Sequence, residues 1–344
     1  MNKINDFIKN FGWPRIIIAL FLLILFIAAP FFGVRVDTSL NDVIVRFGMS
    51  GIMVLSMVPM IQSGCGLNFG IPVGLIAGMM GAVISLEFKL VGIPGIAVAF
   101  LLGITIAAIF GFLYGKLLNR VKGDEMIIAT YVGFSFVCLM NIMWLILPFR
   151  NPASVMGFKG EGLRVTISIK EYWIHVLSDI LKIDVSKYLT VPTGMILFFI
   201  LMALLVWGFF KTKTGTAITA VGSNPDYARA SGISIDKMRI VSVMLSTMMA
   251  AIGMVVYQQS FGFVQMYNAP TAFVFPSVAA ILLGGASVNK ASIKNVVIGT
   301  ILFQGILTMT PSVINSAINI DVADIIRIIV TSGLIVYALT RKAR

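Results

Sequence analysis

Seven stretches of this 344-residue chain contain no Asp, Glu, Lys or Arg: Ile16 to Val34, Phe47 to Leu86, Leu90 to Gly115, Met126 to Phe149, Tyr188 to Phe210, Ile240 to Asn289 and Asn295 to Ile320. A hydrocarbon layer about 30 Å thick admits only chains that satisfy their own backbone hydrogen bonds, and roughly 20 residues of α-helix cross it. Five of these stretches suit one crossing each and the two longest suit two, which makes nine; a tenth is expected over Val322 to Thr340, interrupted by Asp324 and Arg327. The expected fold is all-α: one polytopic membrane domain over residues 1–344 with about ten transmembrane helices. With 58% hydrophobic and 12% charged residues and a mean hydropathy of +0.99, the composition does not fit a soluble globule. Ile27-Ala28-Ala29-Pro30 leads into further apolar sequence without a small-residue cleavage site, so the first run is expected to be a retained span.

The cations orient the chain. With the N-terminus cytoplasmic, Lys116, Arg120, Lys122, Lys211, Lys213, Arg229, Lys237, Arg239, Lys290, Lys294 and the C-terminal cluster join Lys3, Lys9 and Arg15 on one side, 16 of the 26 basic residues. Both termini and the segment 211–239 are therefore expected in the cytoplasm of a bacterial inner membrane, and the loop 150–187 outside. The net charge of +12 then reflects loops facing anionic lipid headgroups, not nucleic acid, because no basic stretch carries interleaved aromatics. Cys65, Cys138 and the single His175 are scattered, which supports neither a disulfide framework nor a metal site.

Two spans contain interruptions. Gln62 to Gly74 holds four glycines (Gly64, Gly66, Gly70 and Gly74) and Pro72; Phe261 to Pro276 holds Gly262, Asn268, Pro270 and Pro276. Non-helical backbone at membrane depth must be buried in protein or line a wet cavity, and paired interruptions in two halves point to a solute pathway. Asn68, Phe69, Gly70, Pro72, Gln258, Gln265 and Asn268 are the candidate pathway residues, uncharged groups suited to a neutral, hydroxyl-rich solute. The second span would run outward to inward and the seventh inward to outward, so an inverted repeat of spans two to five and seven to ten is expected. Rows of glycine (Gly70, Gly74, Gly78, Gly81; Gly103, Gly111, Gly115) predict close helix packing. Outside, Ile/Val alternation near Leu163 to Ile169 and an amphipathic Glu171 to Leu181 suggest a hairpin or surface helix that docks an extracytoplasmic protein.

The polar loop 211–239 reads as two short helices. Gly222-Ser223-Asn224-Pro225 supplies a turn, with Asn224 as N-cap and Pro225 at the first helical position. Asp226 suits the positive end of the helix dipole, Gly232 closes the helix, and Tyr227 and Ala228 are expected to be available for contact. Such a rigid element is suited to being pushed by another protein.

Gly222-Ser-Asn-Pro-Asp-Tyr-Ala-Arg-Ala-Ser-Gly-Ile233 resembles the G-x-N-x-x-x-A-R-x-x-G-I coupling loop of permease subunits in ABC importers of the ribose, nucleoside and branched-chain amino acid permease family. Ala279 to Ser287 resembles that family's A-x-x-L-G-G-x-S segment, with Gly299-Thr300 following, and the likeness spans roughly Gly48 to Leu339. It implies two copies of a cytoplasmic ABC ATPase, a separate extracytoplasmic solute-binding protein, and a second permease copy or paralogue. It also places Gly222, Asn224, Pro225, Asp226, Ala228, Arg229 and Gly232 in or beside the ATPase-facing helix. Gly64-Cys-Gly-Leu-Asn-Phe-Gly70 lacks the aspartate of sugar-type members and leans toward nucleoside types.

No G-x-x-x-x-G-K-[ST] occurs, so no cofactor is expected on this chain, and ATP and magnesium belong to the partner. No carboxylate is expected in mid-span, which disfavours ion-coupled transport; Asp124 and Glu125 read as a helix cap, and Asp321, Asp324 and Arg327 as interfacial charges. Without a credible general base in the bilayer, no catalytic residue is assigned and the chain is not expected to be an enzyme. The preferred reading is an importer permease for a monosaccharide or nucleoside, with a branched-chain amino acid permease as the alternative and an ion-coupled secondary transporter less favoured.

Overall fold

The computed structural model describes residues 13–152, 154, 157–158, 162–163, 165–267, 269–318, 325, 328–329 and 332–333. The tenth expected span lies almost wholly outside these residues, as do Asn268 and the Asp321, Asp324 and Arg327 group. The helices are α1 (Trp13–Ala28), α2 (Val36–Gln62), α3 (Pro72–Glu87), α4 (Gly92–Arg120), α5 (Glu125–Ile146), α6 (Val176–Asp179), α7 (Thr193–Lys211), α8 (Lys213–Ser223), α9 (Pro225–Ala230), α10 (Ile235–Phe261), α11 (Ala269–Ala272), α12 (Val274–Leu283) and α13 (Ile293–Ile318). Among the described residues, seven helices are long and apolar enough to cross a membrane, and α3 and the α11–α12 segment are shorter apolar helices. Three two-stranded ladders involve β1 (Gly157–Phe158), β2 (Gly162–Leu163), β3 (Thr166–Ser168), β4 (Ile183–Ser186), β5 (Leu189–Val191) and β6 (Phe263–Gln265). The chain is thus a predominantly helical polytopic membrane protein.

The two longest charge-free stretches each resolve into a long helix, a non-helical segment and a short helix. In the first, α2 is 27 residues and α3 is 16; in the second, α10 is also 27 residues. At 1.5 Å per residue, 27 residues span about 40 Å, more than the hydrocarbon layer needs. The surplus explains why helix boundaries overrun the charge-free limits. Helix α2 begins at Val36 rather than near Phe47, so Asp42 and Arg46 stand on the first turns of the transmembrane helix rather than in a loop before it.

Neither interruption lies in the middle of a helix. The first turns the chain between α2 and α3: Gly64 and Gly66 adopt left-handed φ of 77° and 78°, and Pro72 opens α3. The second follows Gly262, whose φ of 87° ends α10, and passes through β6, which pairs with β3 of the 150–187 loop. That loop is held down by its partners. Glu87 accepts hydrogen bonds from the Arg150 and Asn151 amides, and Asn41 accepts from the Thr190 amide. The expected surface helix is confined to Val176–Asp179, with the β4–β5 hairpin beside it. The opposite end of the bundle, called the basic end below, gathers the 121–125 turn, α8 and α9, and the 284–292 turn: Lys122 pairs with Asp236 at 2.9 Å, and the Gln62 side-chain amide donates to the Ala291 carbonyl.

Helices α3, α4 and α10 form the dense centre through the glycine rows. A Cβ at Gly74 would lie 2.5 Å from the Thr247 carbonyl of α10, one at Gly78 would strike the Ala251 carbonyl, and Gly81 faces the Gly103 backbone of α4. Further along, Gly111 and Gly115 of α4 approach the α10 backbone at Met244 and Ile240. Lipid supplies no hydrophobic drive for helix association, so dispersion at this close approach holds the three together. Gly78→Val is accordingly expected to destabilise the detergent-solubilised protein by about 3 kcal/mol, visible as a lowered unfolding temperature. An unchanged temperature would show that the helices are not packed through this row. Elsewhere α1, α4, α5 and α7 present large apolar side chains outward, including Ile17, Leu101, Ile142 and Leu204, as lipid contact requires.

Candidate functional site

A cavity of about 620 Å³ opens between α2, α10, α12 and α13 toward the end of the bundle that carries the 150–187 loop. One wall is aromatic: Tyr257 stacks on Phe261 with ring centroids 5.4 Å apart and meets Phe273 edge-on at 4.6 Å. The other is polar, with Asp42 and Arg46 one helical turn apart, Ser50, whose hydroxyl accepts from the Gln304 amide at 2.9 Å, and Ser260 and Gln265. Met53, Val54 and Ser277 also line it. Of the residues singled out from sequence, Gln265 lines this cavity. Asp42, Arg46, Ser50, Tyr257, Ser260 and Gln304 were missed. Their signal, polar groups every three to four residues on a long apolar helix, is strongest at Asp42, Arg46 and Ser50.

The other candidates are placed differently. Gln258 is fully buried in α10, and neither of its amide atoms has a hydrogen-bond partner among the described residues. Asn268 is outside the described residues. Asn68 is fully buried in the first interruption, where its amide donates to Ser246 Oγ at 2.8 Å and its carbonyl accepts from the Tyr114 hydroxyl at 3.2 Å. Ser246 in turn donates to the Ser56 carbonyl at 2.6 Å, so one chain of bonds ties α2, α4 and α10 to this segment. Gly70 lies under the Tyr114 ring, the Phe69 carbonyl and Pro72 lie against Gly133 of α5, and the Phe69 ring meets Phe275 at 6.3 Å. Asn68, Phe69, Gly70 and Pro72 are therefore grouped on the basic-end side of the bundle, and none of them lines the 620 Å³ cavity.

At the basic end, Thr212 caps α8 by accepting from the Gly215 amide, and Asn224 caps α9 by accepting from the Tyr227 amide at 3.0 Å. Pro225 fills the first position and Asp226 the first turn of α9. The helix ends in a Schellman arrangement: the Gly232 amide donates to Arg229 O and the Ile233 amide to Ala228 O, with Gly232 at φ 77°. Tyr227 (68% exposed), Asp226 and Arg229 face solvent, the last two 3.7 Å apart. Ala228 does not, contrary to expectation: it is fully buried and packs with Val221 and Ile235, holding α9 onto the bundle.

Gly222 joins this hairpin to the interrupted segment. A side chain there would strike the Gln62 carbonyl and the Gly64 amide, and Gly64 in turn lies 3.1 Å, measured from a built Cβ, from Gly222 Cα. Backbone meets backbone, which only glycines permit. The α8–α9 hairpin is thus in direct backbone contact with the first turn after α2, five residues before Phe69.

A family model described as "Branched-chain amino acid transport system / permease component" matches residues 39–338. The chain is similar to the nucleoside ABC transporter permease protein NupB of Lactococcus lactis subsp. cremoris, 24% identical over 299 residues that cover 84% of this chain and 76% of that protein. It is also similar to the autoinducer 2 import system permease protein LsrC of Shigella flexneri, 25% identical over 312 residues, 90% of this chain and 81% of that one. LsrC of Escherichia coli (strain K12 / DH10B) is 26% identical over the same coverage. No solved structure matches the chain.

Proposed function

The chain belongs to the branched-chain amino acid transport system / permease component family, and on that premise we propose that it is the transmembrane permease subunit of an ABC importer that moves a neutral polar solute, a monosaccharide or nucleoside, inward. The observation that carries this reading is the direct backbone contact between Gly222 of the capped α8–α9 hairpin and the Gln62–Gly64 turn that leads into Phe69 to Pro72. A separate cytoplasmic ATPase, bearing ATP and magnesium, docks on Tyr227, Asp226 and Arg229 of α9, with Gly222, Asn224, Pro225, Ala228 and Gly232 shaping that helix. An extracytoplasmic binding protein delivers the solute to the 620 Å³ cavity, and a second permease copy or paralogue completes the pore.

The relatives support the solute class, since NupB is named for nucleosides and LsrC for autoinducer 2. The cavity supports it too: aromatic rings together with the hydroxyl and amide groups of Ser50, Ser260, Gln265 and Gln304, beside the opposite charges of Asp42 and Arg46, suit a ring with hydroxyls. The pathway is proposed to run from Gln265 past Gln258, with Asn268 retained as a candidate from the sequence, toward Asn68, Phe69, Gly70 and Pro72, which close it in this conformation. The α2–turn–α3 and α10–β6–α12 units, in which equal long helices run in opposite directions, are proposed to be inverted repeats. Uptake into cells expressing the permease with its ATPase and binding protein should show competition by uridine or ribose and none by leucine. Competition by leucine alone would select the branched-chain amino acid alternative.

The basic end is proposed to be cytoplasmic, with both termini inside. In a background with Cys65 and Cys138 replaced, cysteines at the exposed positions Ser186 and Ser223 should label from opposite sides with an impermeant reagent. Labelling of both in intact cells would refute this orientation.

A further inference from the structure

Beside α9 lies a cleft of about 270 Å³ lined by Gly64, Lys122, Gly123, Glu125, Pro225, Arg229, Ile235 and Arg239. Glu125, expected from sequence to be only a cap residue, forms a 2.9 Å ion pair with Arg239 at its back. The two side chains are 12% and 13% exposed, whereas the partners of the Arg35–Asp37, Lys122–Asp236 and Arg229–Asp226 pairs are at least 38% exposed. The second Glu125 oxygen accepts from the Gly123 amide at 3.0 Å, and Arg239 Nε is buried without a partner. Asp124 occupies the N-cap position of α5 and makes no side-chain cap bond, and Glu125 accepts from Gly123, which precedes the helix, rather than from a first-turn amide.

The helices that this pair joins are two of those that hold the first interruption. From α5, Met126 lies against Gly66, and Gly133 against the Phe69 carbonyl and Pro72. From α10, Ser246 holds Asn68, and Thr247 packs on Gly74. Helix α9 feeds α10 through only Ser231 to Ser234, and its buried Ala228 packs on Ile235, one turn before Arg239. A push on α9 therefore reaches Arg239 through a rigid path.

We propose that Glu125 and Arg239 are positioning residues for transport, an ion pair that clamps α5 and α10 around Phe69 to Pro72 and parts when α9 is driven. Physical chemistry favours charge here. A desolvated ion pair is often no more stable than an apolar pair of similar volume, so stability alone does not call for it. When the pair opens toward the cleft, however, both charges and the orphaned Nε regain hydration, which offsets the lost contact. An apolar clamp would gain nothing from opening into water. The contact is thus directional, closed when dry and inexpensive to open when wet.

The proposal rests on the importer reading, and the test separates the two. The permease, with its ATPase and binding protein, is reconstituted in vesicles with tritiated uridine or ribose as probe, and solute moved per ATP hydrolysed is measured beside thermal unfolding. Glu125→Gln should lower the ratio at least about tenfold, the equivalent of 1.4 kcal/mol. The paired substitution Glu125→Leu with Arg239→Met should restore the unfolding temperature but not the ratio. A purely structural pair predicts recovery of both, so wild-type coupling in the paired variant overturns the proposal, as does an unchanged ratio in Glu125→Gln. If the unsubstituted complex hydrolyses ATP yet moves neither probe, the importer reading falls for these solutes, and the assignment falls with it.

Discussion

Arg229→Glu is expected to reduce ATP-driven uptake roughly thirtyfold, about 2 kcal/mol, while leaving the permease folded and inserted. Arg229 is 70% exposed on α9 and pairs with the still more open Asp226, so its loss removes little from the fold. Reversal places two anions at i and i+3 and puts a negative charge at the C-terminal end of the helix dipole, each worth a few tenths of a kcal/mol. On the proposed docking, the large effect comes from the contact with the ATPase that Arg229 would make. Uptake in vesicles and detergent unfolding on the same variant decide the matter. Near-normal uptake would remove α9 from the docking surface.

Asn68→Leu should destabilise the protein by about 1–3 kcal/mol, because the Tyr114 hydroxyl loses its acceptor and Ser246 loses its donor in a fully buried site. Uptake should fall in step, since the same bonds tie α2, α4 and α10 to the segment at Phe69. A loss of uptake with normal unfolding would instead place the Asn68 amide against the passing solute, and no change in either would remove it from the pathway altogether. Ser246→Ala offers a check: it breaks the same link from the α10 side and also frees the Ser56 carbonyl.

Much of this architecture could be read from the chain because its signals are local. The helix α9 caps are set within eleven residues by Asn224, Pro225 and Gly232, whose preferred backbone shapes do not depend on distant neighbours. The glycine rows announced close packing in the same way. What could not be read depends on contacts across the fold. Charges mark the ends of hydrocarbon, not the ends of helices, so Asp42 and Arg46 looked like loop residues while α2 carries them onto the cavity wall. Likewise Ala228 is polar-flanked in sequence, and only its seating on Val221 and Ile235 reveals which face of α9 is turned inward. Strand β6 needed β3, about a hundred residues earlier, to exist at all. The Glu125–Arg239 pair, 114 positions apart, left no sequence signal beyond two charges near helix starts.

The central claim is that this chain transports only when a separate ATPase works on α9. The most direct measurement is uptake of uridine or ribose into sealed vesicles containing the permease, with ATPase, ATP and binding protein each added or omitted and with ionophores present to collapse ion gradients. The account predicts uptake that requires all three additions, survives the ionophores and is lost in Arg229→Glu. Uptake that proceeds without the ATPase and disappears with the ion gradient would contradict it.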